Sequence, residues 1–198
     1  MGNQITDPDR IHRLLEERIL THVQMPGRYV GGELNAVRKD PAGVEASFAL
    51  MFPDTYEVGM SHLGYQILYA LLNELEWAAA ERAYAVWPDM EQQMREHGIP
   101  LYALESFRPV RQFDVLAFSL QYELLHTEVL AMLGLAGVPL RSSERGPGDP
   151  LVIAGGPCAA CPEPLADFLD LVLPGDGEEI IVQFGRFLRR ARSEGMTR

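Results

Sequence analysis

Lysine is almost missing from this chain: Lys39 is the only one among 17 basic residues, which face 28 acids for a net charge of −11. A protein this acidic carries no general electrostatic footprint for nucleic acid. The cluster Arg186, Arg189, Arg190 and Arg192 reads as the solvated face of a helix. A receiver-type phosphorylation domain needs several acids at its first strand end and a lysine late in the fold. Lys39 precedes the first expected strand, so that class drops out. Cysteine is equally scarce, with Cys158 and Cys161 alone, spaced C-x-x-C. Without a second pair or a nearby histidine, the chain cannot complete a four-ligand zinc site by itself. Three readings of the pair stay open: ordinary loop thiols, a redox pair, or part of a metal site shared with a partner. No apolar run approaches the roughly 18 residues of a membrane span. The opening M-G-N-Q-I-T-D-P-D-R lacks the basic-then-apolar plan of a signal peptide, which leads to the expectation of a cytoplasmic location without membrane contact. Neither G-x-G-x-x-G nor G-x-x-x-x-G-K-[ST] occurs, and the nicotinamide and nucleoside-triphosphate classes go with them. Internal repeats and low-complexity tracts are absent as well.

What is present suits one domain with an extension: 198 residues, 47% hydrophobic, enough to bury a sizeable core. Asp7 caps an expected amphipathic helix to about His22, with Ile11, Leu14, Leu15 and Ile19 at helical spacing. Turn signals follow, so residues 1–45 read as an N-terminal extension and 46–198 as the domain proper. From Val44 strands alternate with helices. The expected strands are 44–52, 82–87, 101–104, 114–119, 151–154 and 169–173. The expected helices are 61–77, 90–96 (stopped at Gly98), 121–136 (stopped at Gly137) and 178–192, with a short one near Leu165. That rhythm predicts an α/β fold, a doubly wound, mostly parallel, Rossmann-like or flavodoxin-like sheet with an N-terminal helical extension.

The stretch Pro150–Glu179 organises the rest. An apolar strand runs straight into Gly155-Gly156-Pro157, and a second into Pro174-Gly175-Asp176-Gly177-Glu178-Glu179. In open α/β sheets ligands sit beyond the carboxyl ends of the strands, and glycines there let a ligand approach the backbone. Both glycine pairs also read as turn geometry and helix capping. Gln121, Tyr122 and Glu123 follow another strand end and either line the site or begin a helix. Trp87 is a core anchor or an interface residue, His97 and His126 read as surface residues, and the eight methionines as gap-fillers.

Four strings carry a resemblance: R-Y-V-G-G-E-L-N at Arg28–Asn35, F-P-D-T-Y-E-V-G-M-S-H-L-G at Phe52–Gly64, W-P-D-M-E at Trp87–Glu91, and G-G-P-C followed by P-E-P-L-A-D-F within Gly155–Phe168. Together they resemble the cobalamin-binding-like domain that precedes the barrel in a largely uncharacterised group of radical SAM proteins. The resemblance implies a cobalamin whose nucleotide tail enters a slot between strand ends, floored by Gly155 and Gly156. Pro157, Gly175 and Gly177 lie beside that slot, Ser119 and Gln121 stand near the tail, and Gly59, Ser61 and His62 face the corrin. It also implies an iron–sulfur cluster and S-adenosyl-L-methionine on a barrel domain or subunit. With only two cysteines and no barrel after Arg198, that chemistry is expected on a C-terminal portion or partner, so the chain is not catalytic alone. The D-x-H-x-x-G string of cobalt-ligating relatives is absent, because Asp54 and His62 stand eight apart and Gly64 follows the histidine by two. His62 is therefore either a corrin contact or a helix N-terminal residue satisfied locally. Two other classes remain: a cofactor-free interaction module on the same sheet, and a flavodoxin-like flavin binder with only Thr55 and Ser61 for a phosphate.

Overall fold

The computed structural model describes residues 4–196. Five strands, β1 (Ala46–Phe52), β2 (Ala78–Tyr84), β3 (Val115–Ser119), β4 (Leu151–Gly155) and β5 (Leu171–Leu173), form one sheet in the order β2-β1-β3-β4-β5. Every pairing is parallel. This is the doubly wound, flavodoxin-like order, whose direction reverses between β1 and β3. β1 and β3 are buried at every position, as central strands covered on both faces must be.

The helices follow from the connections. α1 (Pro8–Leu14) lies in the extension, α2 (Tyr56–Ser61) and α3 (Leu63–Glu74) lead from β1 to β2, α4 (Pro88–His97) from β2 to β3, and α5 (His126–Ala136) from β3 to β4. α6 (Gly177–Ser193) follows β5. The step from β1 to β2 runs opposite to the steps from β2 to β3 and β3 to β4, so right-handed crossovers put α3 on one face and α4 and α5 on the other. α3 and α6 pack against each other. α6 buries Ile181, Phe184, Gly185 and Leu188 and turns its arginines outward, the division its sequence periodicity implies.

Several expectations shift. The strand placed at 82–87 lies at Ala78–Tyr84. Residues 101–104 form no strand. They run beside β2 and touch it through one backbone bond, Leu104 N–H to Arg82 O at 2.9 Å, before the chain turns at Phe107 with φ 60°. The helix expected over 61–77 is two helices broken at His62, and that over 121–136 starts at His126 after a 3₁₀ turn. The helix from Asp7 to His22 is continuous in path, yet passes from α through π (Leu15–Ile19) to 3₁₀ geometry. Gly98 and Gly137 end α4 and α5 as expected.

The extension is fastened to the β2 side of the sheet. Lys39 Nζ donates to the carbonyls of Leu75 and Ala78, 2.6 Å each. Arg28 stacks on Trp87, 4.2 Å from the ring centroid, and its Nε donates to Glu57 at 2.8 Å. Tyr29 accepts from the Trp87 N–H, and Val37 N–H donates to Tyr69. Arg82, fully buried in β2, donates to Glu105, Asn35 and Gln66. Three of the four sequence strings thus meet here, and most of their polar residues hold chain to chain.

Candidate functional site

At the carboxyl ends of β3, β4 and β5 a cavity of about 210 Å³ opens between the sheet and the helices α3 and α6. Its base is Leu50, Ala117, Phe118, Ile153 and Ala154 from the strands; its sides are Tyr65 and Leu68 of α3 and Ile180 and Ile181 of α6. The walls are mainly apolar. Polar groups enter at the rim: His62, Ser119, Gln121 and Glu178.

Eight of the ten residues singled out from the sequence line this one cavity: His62, Ser119, Gln121, Gly155, Gly156, Pro157, Gly175 and Gly177. They arrive from four chain segments because β3, β4 and β5 are adjacent and parallel, with Gly155 paired between Ser119 and Leu173. Gly59 and Ser61 lie elsewhere. A side chain at Gly59 would stand 2.4 Å from the Tyr84 ring, so that glycine lets α2 sit on β2. Ser61 is exposed and its hydroxyl donates to Val58 O.

The two central glycines differ in what they do. Gly156 has φ +103°, and a Cβ there would meet Leu120 O at 2.6 Å, so its own backbone demands glycine. Gly155 carries no such constraint. Its nearest neighbour to an added Cβ is Leu173 O at 3.5 Å, an ordinary contact. What Gly155 leaves open is space in the cavity.

His62 sits between α2 and α3, with its ring against Phe52 and Nδ1 accepting the Tyr65 N–H at 3.2 Å, the N-cap of α3. With that lone pair engaged, the neutral ring carries its proton on Nε2 and offers a donor, not a ligating lone pair. At the other rim, the N-terminus of α6 brings its unpaired N–H groups towards the cavity, and Glu178 and Glu179 in its first turn offset their positive end. That arrangement disfavours a phosphate on the helix axis.

Tyr65 closes the inner end, its hydroxyl donating to Leu50 O at 2.8 Å; burial pushes it well above the ordinary phenol range. It is a wall and no acid–base group at neutral pH. Among the described residues no group of three or more His, Cys, Asp or Glu side chains is placed to hold a metal. The mainly apolar lining suits burial of an uncharged group, with hydrogen-bonding partners at the mouth.

Across the switch point the Tyr122 hydroxyl donates to Asp54, joining the ends of β3 and β1; that bond, more than burial, holds the phenol above its usual value. The groove behind it, lined by Asp54, Trp87, Asp89, Glu91 and Glu128, is wide and acidic. Burial, then Glu91 and Asp54, push the Glu128 carboxyl up.

The residues missed from the sequence are the apolar walls, Tyr65, Leu68, Ile180 and Ile181. Their signal was topological: only the reversed strand order puts α3 and the last helix on one face. No helix among the described residues is long and apolar enough to cross a membrane. No curated protein matches the chain. Residues 64–198 match the family described as Radical SAM proteins, N-terminal. That match takes in α3, α6 and every strand but β1, and with it nearly all of the cavity. The chain belongs to the family of N-terminal domains of radical SAM proteins.

Proposed function

We propose that this domain holds a cobalamin by its nucleotide tail and presents the corrin to a radical SAM barrel. The observation that carries the reading is the cavity at the ends of β3–β5, apolar inside and glycine-lined at the mouth. Pockets for whole small ligands run to about 300–1,000 Å³. At about 210 Å³ this one suits an appendage of the size of a bicyclic base, with the bulk of the ligand left outside. Gly155 makes room for it, Ile153, Leu68 and Ile181 shield it from water, and Ser119 and Gln121 offer hydrogen bonds where it leaves the cavity. A bound corrin supplies a cobalt centre for methyl transfer or electron transfer; the chain's own part is to fix its position. The iron–sulfur cluster and S-adenosyl-L-methionine belong to the barrel in this reading.

The corrin then lies over the carboxyl edge of the sheet, where Leu63, the first residue of α3, and Leu124, in the 3₁₀ turn after β3, stand largely exposed. Leu63, next to the cavity residues His62 and Gly64, and Leu124, in the acidic groove across the switch point, serve as contacts for the barrel. The test is direct. Protein incubated with excess hydroxocobalamin and gel-filtered should carry corrin absorbance in about equal amount; protein emerging colourless would leave the domain as a cofactor-free docking module, the second reading that those exposed leucines also fit.

A further inference from the structure

We infer that Cys158 and Cys161 form a reversible intrachain disulfide at the rim of the cavity. Cys158 lies in the 3₁₀ turn after β4, Pro157–Ala160, and Cys161 caps that turn, its N–H donating to Cys158 O at 3.2 Å. A hydrogen-bonded four-residue turn holds its end Cα atoms within about 7 Å, and disulfides bridge Cα separations of about 4.4–6.8 Å. Both sulfurs are free; Cys161 is exposed and Cys158 half-buried. The absence of a third ligand among the described residues leaves thiol–disulfide exchange as the chemistry this chain supports alone.

The turn is anchored where a change would be felt. Cys158 N–H donates to Leu120 O, Leu120 N–H donates to Gly155 O, and Pro157 lines the cavity. The order of events follows from the surroundings. Cys161 is exposed and Cys158 half-buried, so an external disulfide meets Cys161 first and Cys161 attacks as the thiolate. It attacks a small disulfide such as oxidised glutathione, forming a mixed disulfide on Cys161 and releasing one glutathione thiol. Cys158 then loses its proton and attacks the Cys161 sulfur, expelling the second glutathione. Two cysteine thiols are oxidised and one external disulfide is reduced to two thiols. The closed loop spans four residues, so it constrains the unfolded chain little, and the bond is readily reduced rather than a structural staple.

The experiment equilibrates the protein with oxidised and reduced glutathione at fixed ratios, quenches with acid and reads intact mass. The expected result is a species two hydrogens lighter, with both thiols lost together and no glutathione attached, restored by dithiothreitol. In Cys158→Ser the same treatment should stop at one retained glutathione, on Cys161. Stable glutathione adducts on the wild type, disulfide-linked dimers, or two thiols that stay free at a high ratio of oxidised to reduced glutathione each overturn the inference.

Discussion

The guanidinium of Arg82 and the carboxylate of Glu105 meet at 2.6 Å with neither side chain exposed to solvent. Glu105 also accepts the Arg82 backbone N–H at 2.7 Å, and the Tyr69 ring covers the guanidinium at 4.2 Å. Burial raises the Glu105 carboxyl and Arg82 opposes it; burial likewise pushes Tyr69 up to about 12. Removing one partner strands a buried charge, which costs about 3–5 kcal/mol. Arg82→Met should therefore lower the midpoint of urea unfolding by that equivalent. A change under about 1 kcal/mol would mean the pair is solvated.

The two glycines after β4 should behave oppositely. Gly156→Ala forces a Cβ against Leu120 O at φ +103° and should cost about 1–3 kcal/mol. Gly155→Ala meets only ordinary contact and should stay within about 0.5 kcal/mol of wild type. Thermal unfolding of the two variants side by side checks the contrast, and equal losses would contradict it.

Acid sensitivity should trace to Asp114. Burial alone would raise its carboxyl, but Arg192 and the Ser47 hydroxyl and N–H, both at 2.7 Å, outweigh burial and hold it below the ordinary 3.8. A depressed folded-state value means the stabilisation is present above the unfolded value and is lost as pH falls through the folded one. The loss should therefore begin near 3.8 and continue below it. Asp114→Asn should lower stability by about 1–3 kcal/mol at pH 7 and flatten that acid limb, read from urea midpoints at stepped pH. An unchanged acid limb would assign it to other carboxylates.

His62 spends its Nδ1 lone pair on the Tyr65 N–H, so it should not ligate cobalt. The electron paramagnetic resonance spectrum of bound cob(II)alamin should lack nitrogen splitting from this histidine and stay the same in His62→Ala. That variant should still lose about 1 kcal/mol for the missing cap. Nitrogen splitting that disappears in the variant would reverse the assignment.

Much of the fold is legible in the sequence. The runs at β1, β3 and β4 are apolar but for Ser47 and Ser119, and buried parallel strands leave that mark. The glycine pairs announced the sheet edge that carries the cavity. β2 begins four residues before the expected 82 because A-A-A-E at its start has weak strand preference; its strand character comes from pairing with β1 and from partners that bury Arg82. Residues 101–104 look like a strand since Leu101, Tyr102, Ala103 and Leu104 are all buried, yet they lie against the edge with a single bond to β2. Gly59 sits in a string that suggests the site, yet its neighbour is the Tyr84 ring of β2, a contact between strand connections that no local pattern contains.

The central claim is that the ligand's tail, and not its ring, is what the cavity grips. The most direct measurement compares equilibrium binding of hydroxocobalamin with that of cobinamide, which has the corrin but no nucleotide, in wild type and in Gly155→Val. The account predicts that wild type binds cobalamin at least about tenfold more tightly, a difference of about 1.4 kcal/mol, and that Gly155→Val abolishes the preference while remaining folded. Equal affinity of the wild type for both corrinoids would contradict it.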